Sequence, residues 1–204
     1  DGNDYFYSSI GADSIIGGNG TDTLDFTNLT TTAGVNGTLT SFAFNSGGTA
    51  YTTTASGLEN FTGSAQNDNF TGDGAANLLI GGAGADTLKG MAGADVIYGG
   101  IGDDSIDGGA ANDTLYGDAG NDLFTIDFSA IDTIDGGANS DTVKFNAFTL
   151  TNITSDTNFI SMNSITNIEK LDITALGLTT ANPGTEYKFT DTMIKQWSGS
   201  ATGT

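Results

Sequence analysis

The chain has no cysteine, no histidine and no arginine, and only one proline, Pro183, in 204 residues. Without thiols there are no disulfides. Without thiol or imidazole there is no zinc site of the usual nitrogen/sulfur kind, no thiol nucleophile and no imidazole base. The lack of cysteine leaves the redox compartment open, because rigidity in an oxidising space can come from metal instead. The basic residues are five lysines (Lys89, Lys144, Lys170, Lys188, Lys195) against 25 acids, a net charge of −20. Nucleic-acid binding rests on a basic footprint and is excluded. An anionic membrane surface is equally unsuited, and no run reaches the roughly 18 apolar residues of a membrane span, so no membrane insertion is expected. Glutamate is scarce as well: Glu59, Glu169 and Glu186 stand beside 22 aspartates. Aspartate sits close to its own backbone in turns, so the acid belongs to turns and not to helix faces. The natural partners of such a chain are cations. It starts at Asp1 in mid-pattern and ends on SGSATGT, and reads as a piece of a longer protein.

Glycine is abundant, with 31 residues, and it recurs with aspartate at a period of nine. The stretch GGAGADTLKGMAGADVIYGGIGDDSIDGG, Gly81–Gly109, displays the period three times. With the aspartate as position 6, seven unbroken units start at Gly63, Gly72, Gly81, Gly90, Gly99, Gly108 and Gly117. One extra residue, Ile126, intervenes before two further units, 127–135 and 136–144. An earlier block covers Gly2–Asp25. Position 6 is Asp4, Asp13, Asp22, Asp68, Asp86, Asp95, Asp104, Asp113, Asp122, Asp132 and Asp141, and Asn77 alone departs from the rule. Position 8 is Phe6, Ile15, Leu24, Phe70, Leu79, Leu88, Ile97, Ile106, Leu115, Phe124, Ile134 and Val143, apolar every time in a chain that is 37% hydrophobic.

Each unit has a physical reading. Glycines at positions 1, 2 and 4 permit positive φ and close backbone approach. Positions 7 to 9 make a short strand whose middle side chain points inward. Two units form a coil of 18 residues, so like turns stack on each flank at the inter-strand spacing of about 4.8 Å. Stacked carboxylates without basic partners are untenable unless a cation sits between them. Carboxylate and carbonyl oxygens suit Ca²⁺, and Asp103, Asp107, Asp118 and Asp135 add acid to the same turns. The competing reading, in which each aspartate merely closes its own turn, suits an isolated unit better than seven in phase. Nucleotide cradles are disfavoured: the lysine–hydroxyl step of a phosphate loop is missing, and a dozen glycine runs replace the single one of a dinucleotide fold. Because every turn carries acid, no carboxylate pair stands out for glycoside hydrolysis.

GGAGADTLK, GGIGDDSID and GGNGTDTLD fit at every specified position the nonapeptide of RTX (hemolysin-type calcium-binding) proteins, which the chain therefore resembles. The resemblance implies an all-β fold, a parallel β-roll with β-strand-rich inserts. It implies several calcium ions, five or more. The ligands would be the position-6 residues named above, Asn77 included, with backbone carbonyls from Gly82, Gly84, Gly93, Gly100, Gly102, Gly109 and Gly120. One flank would pair Asp68 with Asp86, Asp86 with Asp104, and Asp104 with Asp122; the other would pair Asp95 with Asp113, and Asp4 would share a flank with Asp22. Asn77 brings an oxygen but no charge.

The organisation expected is a first repeat block over 1–25, a strand-rich insert over 26–62 continuing the roll or folding as a hairpin on its side, the main roll over 63–144, and a β-rich segment over 145–204. SGLENFTGS and SITNIEKLDITA echo one another. TDTMIKQW is expected to form a short helix with Thr190 as N-cap. Such segments resemble those of type I-secreted adhesins and S-layer proteins. No residue is expected to be catalytic. The module should be extracellular, on a bacterial cell surface, folding on calcium after export, with cell-surface polysaccharide or neighbouring subunits as candidate partners. The alternatives are the noncatalytic tail of a secreted protease, lipase or epimerase, and a glycan-binding module.

Overall fold

The structure, a computed structural model, describes residues 1–30, 33–126, 131–145 and 164–172. The helix expected at TDTMIKQW lies outside them. Every regular element among the described residues is a strand, so no described helix is long and apolar enough to cross a membrane. β1 (Tyr5–Tyr7), β2 (Ser14–Ile16) and β3 (Thr23–Asp25) come first. An insert follows with β4 (Asn36–Thr38), β5 (Ser41–Ser46) and β6 (Thr49–Ser56). The long central series is β7 (Asn60–Thr62), β8 (Asn69–Thr71), β9 (Leu78–Ala83), β10 (Thr87–Ala92), β11 (Val96–Ile101), β12 (Ser105–Ala110), β13 (Thr114–Ala119) and β14 (Leu123–Ile126). β15 (Thr133–Asp135), β16 (Thr142–Phe145), β17 (Ser164–Thr166) and β18 (Lys170–Asp172) complete the set.

The nine-residue period sends successive strands to two sheets in alternation. One has the order β1-β3-β7-β9-β11-β13-β15-β17, the other β18-β16-β14-β12-β10-β8-β4-β5-β6-β2. Pairing is parallel with an 18-residue offset, as in Thr87 with Ser105 and Leu88 with Ile106. This is the parallel β-roll. Position-8 side chains meet between the sheets in single file, and Leu79, Leu88, Ile97, Ile106 and Leu115 are wholly buried.

The strands are longer than the sequence suggests. β9 to β13 run for six residues, across positions 7 to 9 and on through the glycine pair. The bend itself stays in the ladder, since Met91 pairs with Gly109 and Gly100 with Asp118. From Gly82 to Asp118, position 2 has positive φ whether or not it is glycine, as at Gly100 (+112°) and Met91 (+85°). The extra residue at Ile126 lengthens one offset in each sheet to 19, with Thr114 on Thr133 and Leu123 on Thr142, and the ladder continues past it.

Residues 26–62 enter the two sheets unequally. In the first sheet β3 pairs directly with β7, Thr23 opposite Asn60. In the second, β6, β5 and β4 stand between β2 and β8, and the β4–β5 and β5–β6 pairs are antiparallel. The insert also brings a wider core. Phe42 meets Phe61 edge-on at 4.6 Å, and Phe61 stacks on Phe70 at 4.9 Å. Phe26 packs against both Phe42 and Phe70, and Val35, Leu39 and Phe44 are buried around them.

Candidate metal centre

Each position-6 residue lies at the end of a bend, just before its strand opens. The parallel 18-residue offset stacks these positions into a column on each flank. Oδ1 of each aspartate accepts the backbone N–H of the residue one coil earlier. Asp86 takes it from Asp68, Asp104 from Asp86 and Asp122 from Asp104, at 2.7–2.8 Å. On the opposite flank Asp22 takes it from Asp4, Asp95 from Asn77 and Asp113 from Asp95, at 2.7–2.9 Å. The Ile126 slip is absorbed: Asp132 accepts from Asp113 and Asp141 from Asp122, at 3.0 and 2.8 Å. These bonds span whole coils and are not turn closures. Other acids close turns. Asp73 accepts from Ala75 N–H at 2.8 Å, and Asp25 from Thr27 N–H at 2.7 Å and the Tyr5 hydroxyl at 2.6 Å.

The second oxygen distinguishes the columns. Oδ2 of Asp22, Asp86, Asp95, Asp104, Asp122 and Asp141 is buried and has no hydrogen-bond partner, on residues at most 2% exposed. A buried carboxylate oxygen without a partner is costly to keep ionised. Loss of hydration, with the neighbouring carboxylates adding to it, pushes Asp86 and Asp122 up to about 7. The same loss of hydration, chiefly, pushes Asp95 and Asp104 up to about 6 and raises Asp141. Asp25 shows the opposite outcome. Burial would raise it, but the hydrogen bonds from Tyr5 and Thr27 prevail and hold it below the ordinary value.

Position-1 glycine makes the approach possible. A Cβ on Gly81 would strike Asp86 Oδ2 and the Gly99 carbonyl, and one on Gly99 would strike Asp104 Oδ2 and the Gly117 carbonyl. These glycines are needed for space and not for positive φ, since none of Gly81, Gly90, Gly99, Gly108 and Gly117 has it. Among the glycines expected to lend carbonyls, those of Gly82, Gly84 and Gly102 abut Gly100, Gly102 and Gly120 one coil on. Gly93 and Gly109 abut the carbonyls of Ala75 and Met91 in the same way. Among the described residues no group of three or more acidic side chains surrounds a common point. A cation here would draw on paired carboxylates and bend carbonyls together. That oxygen-only donor set, with orphaned anionic atoms, fits calcium.

Asp68, Asp13 and Asn77 differ. Asp68 is satisfied by protein: Oδ1 accepts from Val35 N–H and Oδ2 from Ser64 N–H at 2.7 Å. Asp13 has no acid stacked on it one coil on; its N–H lies 3.4 Å from the Thr53 hydroxyl, which takes the carboxylate's place. The antiparallel pair β5–β6 separates Asp13 from Asp68. Asn77 donates through Nδ2 to the Glu59 carbonyl at 2.9 Å and accepts at Oδ1 from Asp73 N–H at 3.0 Å. An aspartate could not make the first of these bonds. Glu59 lies outside the nonapeptides and joins a column, its Oε2 accepting from Asp22 N–H at 2.7 Å across 37 residues. Glu169 does the same for Asp141 at 2.8 Å. The nine-residue period places neither glutamate in a column. The signal that could have found them is the echo of SGLENFTGS in SITNIEKLDITA, which puts a glutamate after a buried aliphatic residue, Leu58 or Ile168.

A family model described as the RTX calcium-binding nonapeptide repeat (4 copies) matches residues 1–27, 53–88, 89–124 and 129–147, together more than half of the chain. No curated protein matches it.

Proposed function

This chain belongs to the RTX calcium-binding nonapeptide repeat family, and from that premise we propose that it is a structural module of a secreted bacterial cell-surface protein, an adhesin or S-layer subunit, that folds when it meets calcium outside the cell. The observation that carries the reading is the row of buried, unpartnered Oδ2 atoms of Asp86, Asp104, Asp122 and Asp141. Calcium supplies the positive charge that lets those carboxylates stay ionised side by side. The position-6 aspartates hold the column in register through Oδ1 and present Oδ2, and the position-1 glycines leave the space. A β-roll of this kind is a calcium-binding structural domain and not itself catalytic.

With its charges unmet, a chain at −20 with one inward residue per nine has too little apolar mass to fold. Cation binding then becomes folding energy. Extracellular calcium sites work at roughly 10⁻⁴–10⁻³ M, so the chain stays unfolded and exportable at cytosolic levels. The long Thr-rich strand β6, inserted with β5 into one sheet of the roll, favours a surface-layer or adhesive role over an enzyme tail. Circular dichroism during a calcium titration tests the switch, with magnesium in parallel. The expected result is a disordered spectrum in chelator and a cooperative rise of β-structure with calcium at sub-millimolar to millimolar levels. A β-rich spectrum in chelator at about pH 8, or an equal response to magnesium, overturns it.

A further inference from the structure

Between one position 7–9 triplet and the next, each nonapeptide has six residues, whereas two bends have only three. Gly57–Leu58–Glu59 follows β6 and leads into β7, and Asn167–Ile168–Glu169 follows β17 and leads into β18. They share a plan although 110 residues separate them. The first residue has positive φ, +62° at Gly57 and +53° at Asn167. The second is an aliphatic residue buried between the sheets. The third is a glutamate whose Oε2 reaches the N–H of a position-6 aspartate one coil earlier. That aspartate's carbonyl in turn accepts two N–H groups from the short bend. Asp22 O accepts from Glu59 and Asn60 at 3.1 and 3.0 Å, and Asp141 O from Glu169 and Lys170 at 3.2 and 2.9 Å. The longer glutamate arm makes up for the depth that the shortened bend loses.

Both bends lie against the last full bend before the repeat pattern breaks. Asp22 and Asp141 are wholly buried and each keeps an unpartnered Oδ2. The short bend also offers a carbonyl beside that oxygen. Gly57 O and Asp22 Oδ2 both crowd the vacant side-chain position of Gly17, and Asn167 O and Asp141 Oδ2 crowd that of Gly136. This is the arrangement that Gly99 O and Asp86 Oδ2 make around Gly81 within the regular roll.

We propose that each short bend is the far half of a terminal calcium site, one formed by Asp22, Glu59 and the Gly57 carbonyl, the other by Asp141, Glu169 and the Asn167 carbonyl. The inference rests on the calcium reading of the columns and extends it to residues outside the nonapeptides. In this arrangement the glutamates close a repeat block and make the return of the chain after an insert depend on the same cation. The first site has neutral Asn60 after its glutamate, whereas the second has Lys170, so the Asp22–Glu59 site binds the more tightly.

The test is a count of bound calcium by equilibrium dialysis and titration calorimetry on this chain, with calcium as the probe. Glu59→Gln and Glu169→Gln keep an oxygen for the aspartate N–H and remove the charge. Each is expected to bind one ion fewer per chain than wild type, or one ion at least ten-fold more weakly, and the double variant two, with the calcium-induced β-structure retained. Asp104→Asn serves as the control within the regular roll. Loss of an ion in that control together with unchanged counts in both glutamine variants overturns this inference and leaves the calcium reading standing. No calcium bound by wild type overturns both. Should a glutamine variant fail to gain β-structure, Glu59→Asp and Glu169→Asp are read instead: restored folding with a weakened ion supports the site, and failure to fold despite the retained charge overturns it.

Discussion

Residues 78–126 and residues 26–70 build one solenoid by different means. In the first stretch the interior is a single file of Leu79, Leu88, Ile97, Ile106, Leu115 and Phe124, closed by Ile126, and Asp86, Asp95, Asp104 and Asp122 each bury an oxygen that no protein group answers. In the second, Phe26, Phe42, Phe61 and Phe70 pack ring on ring. The Asp68 carboxylate there is fully met by Val35 and Ser64. Where the interior is wide, bend acids can be tied by backbone donors. Where one inward side chain, contributing about 1.5–3 kcal/mol on burial, must hold nine residues, the bends have to contribute cohesion of their own, and they do so with stacked anions that call for a cation.

The largest expected effect is that of chelation, followed by hydrogen exchange. As calcium is withdrawn in steps, amides of β9 to β14 should lose protection together and at a higher calcium level than those around the phenylalanine cluster; loss at one level in both regions would erase the contrast. Acidification in chelator comes next. Asp86 and Asp122, pushed up to about 7, and Asp95 and Asp104, pushed up to about 6, hold protons in the roll that the unfolded chain, near 3.9, does not. Stability of the metal-free roll is therefore greatest at low pH and is lost as pH rises through 6 to 7. Circular dichroism in chelator should gain β-signal from pH 8 to pH 5, and a flat profile counts against buried, unmet carboxylates. Phe61→Ala should then cost about 3–5 kcal/mol in calcium-saturated denaturant melts by opening a cavity. Gly99→Ala, whose methyl meets Asp104 Oδ2 and the Gly117 carbonyl, should cost about 1–3 kcal/mol by overpacking and lower calcium affinity as well. A Gly99→Ala variant with wild-type calcium affinity would show that the close approach is not part of the site.

Much of the single-file region is legible in the sequence because its period is strict. Position 6 and position 8 fix which residues stack and which turn inward, and the offset from Thr87 to Ser105 follows from two units per coil. Position-1 glycine permits positive φ and close approach alike; that it serves the second is decided by the neighbouring coil, which a single unit does not contain. Asn77 looks like a decayed aspartate. It is the donor that the Glu59 carbonyl requires, and that requirement arises from a bend of another length 18 residues earlier.

A nine-residue period, read alone, determines a two-sheet coil, two acidic columns and a thin aliphatic file, because each of these repeats a local conformation at fixed offsets. Where the period lapses, offsets are no longer set by the chain. Asp22 meeting Glu59 across 37 residues, Thr53 standing beside Asp13, and an antiparallel pair wedged into one sheet but not the other were decided only by how the phenylalanine core and the returning bends pack against the coils already in place.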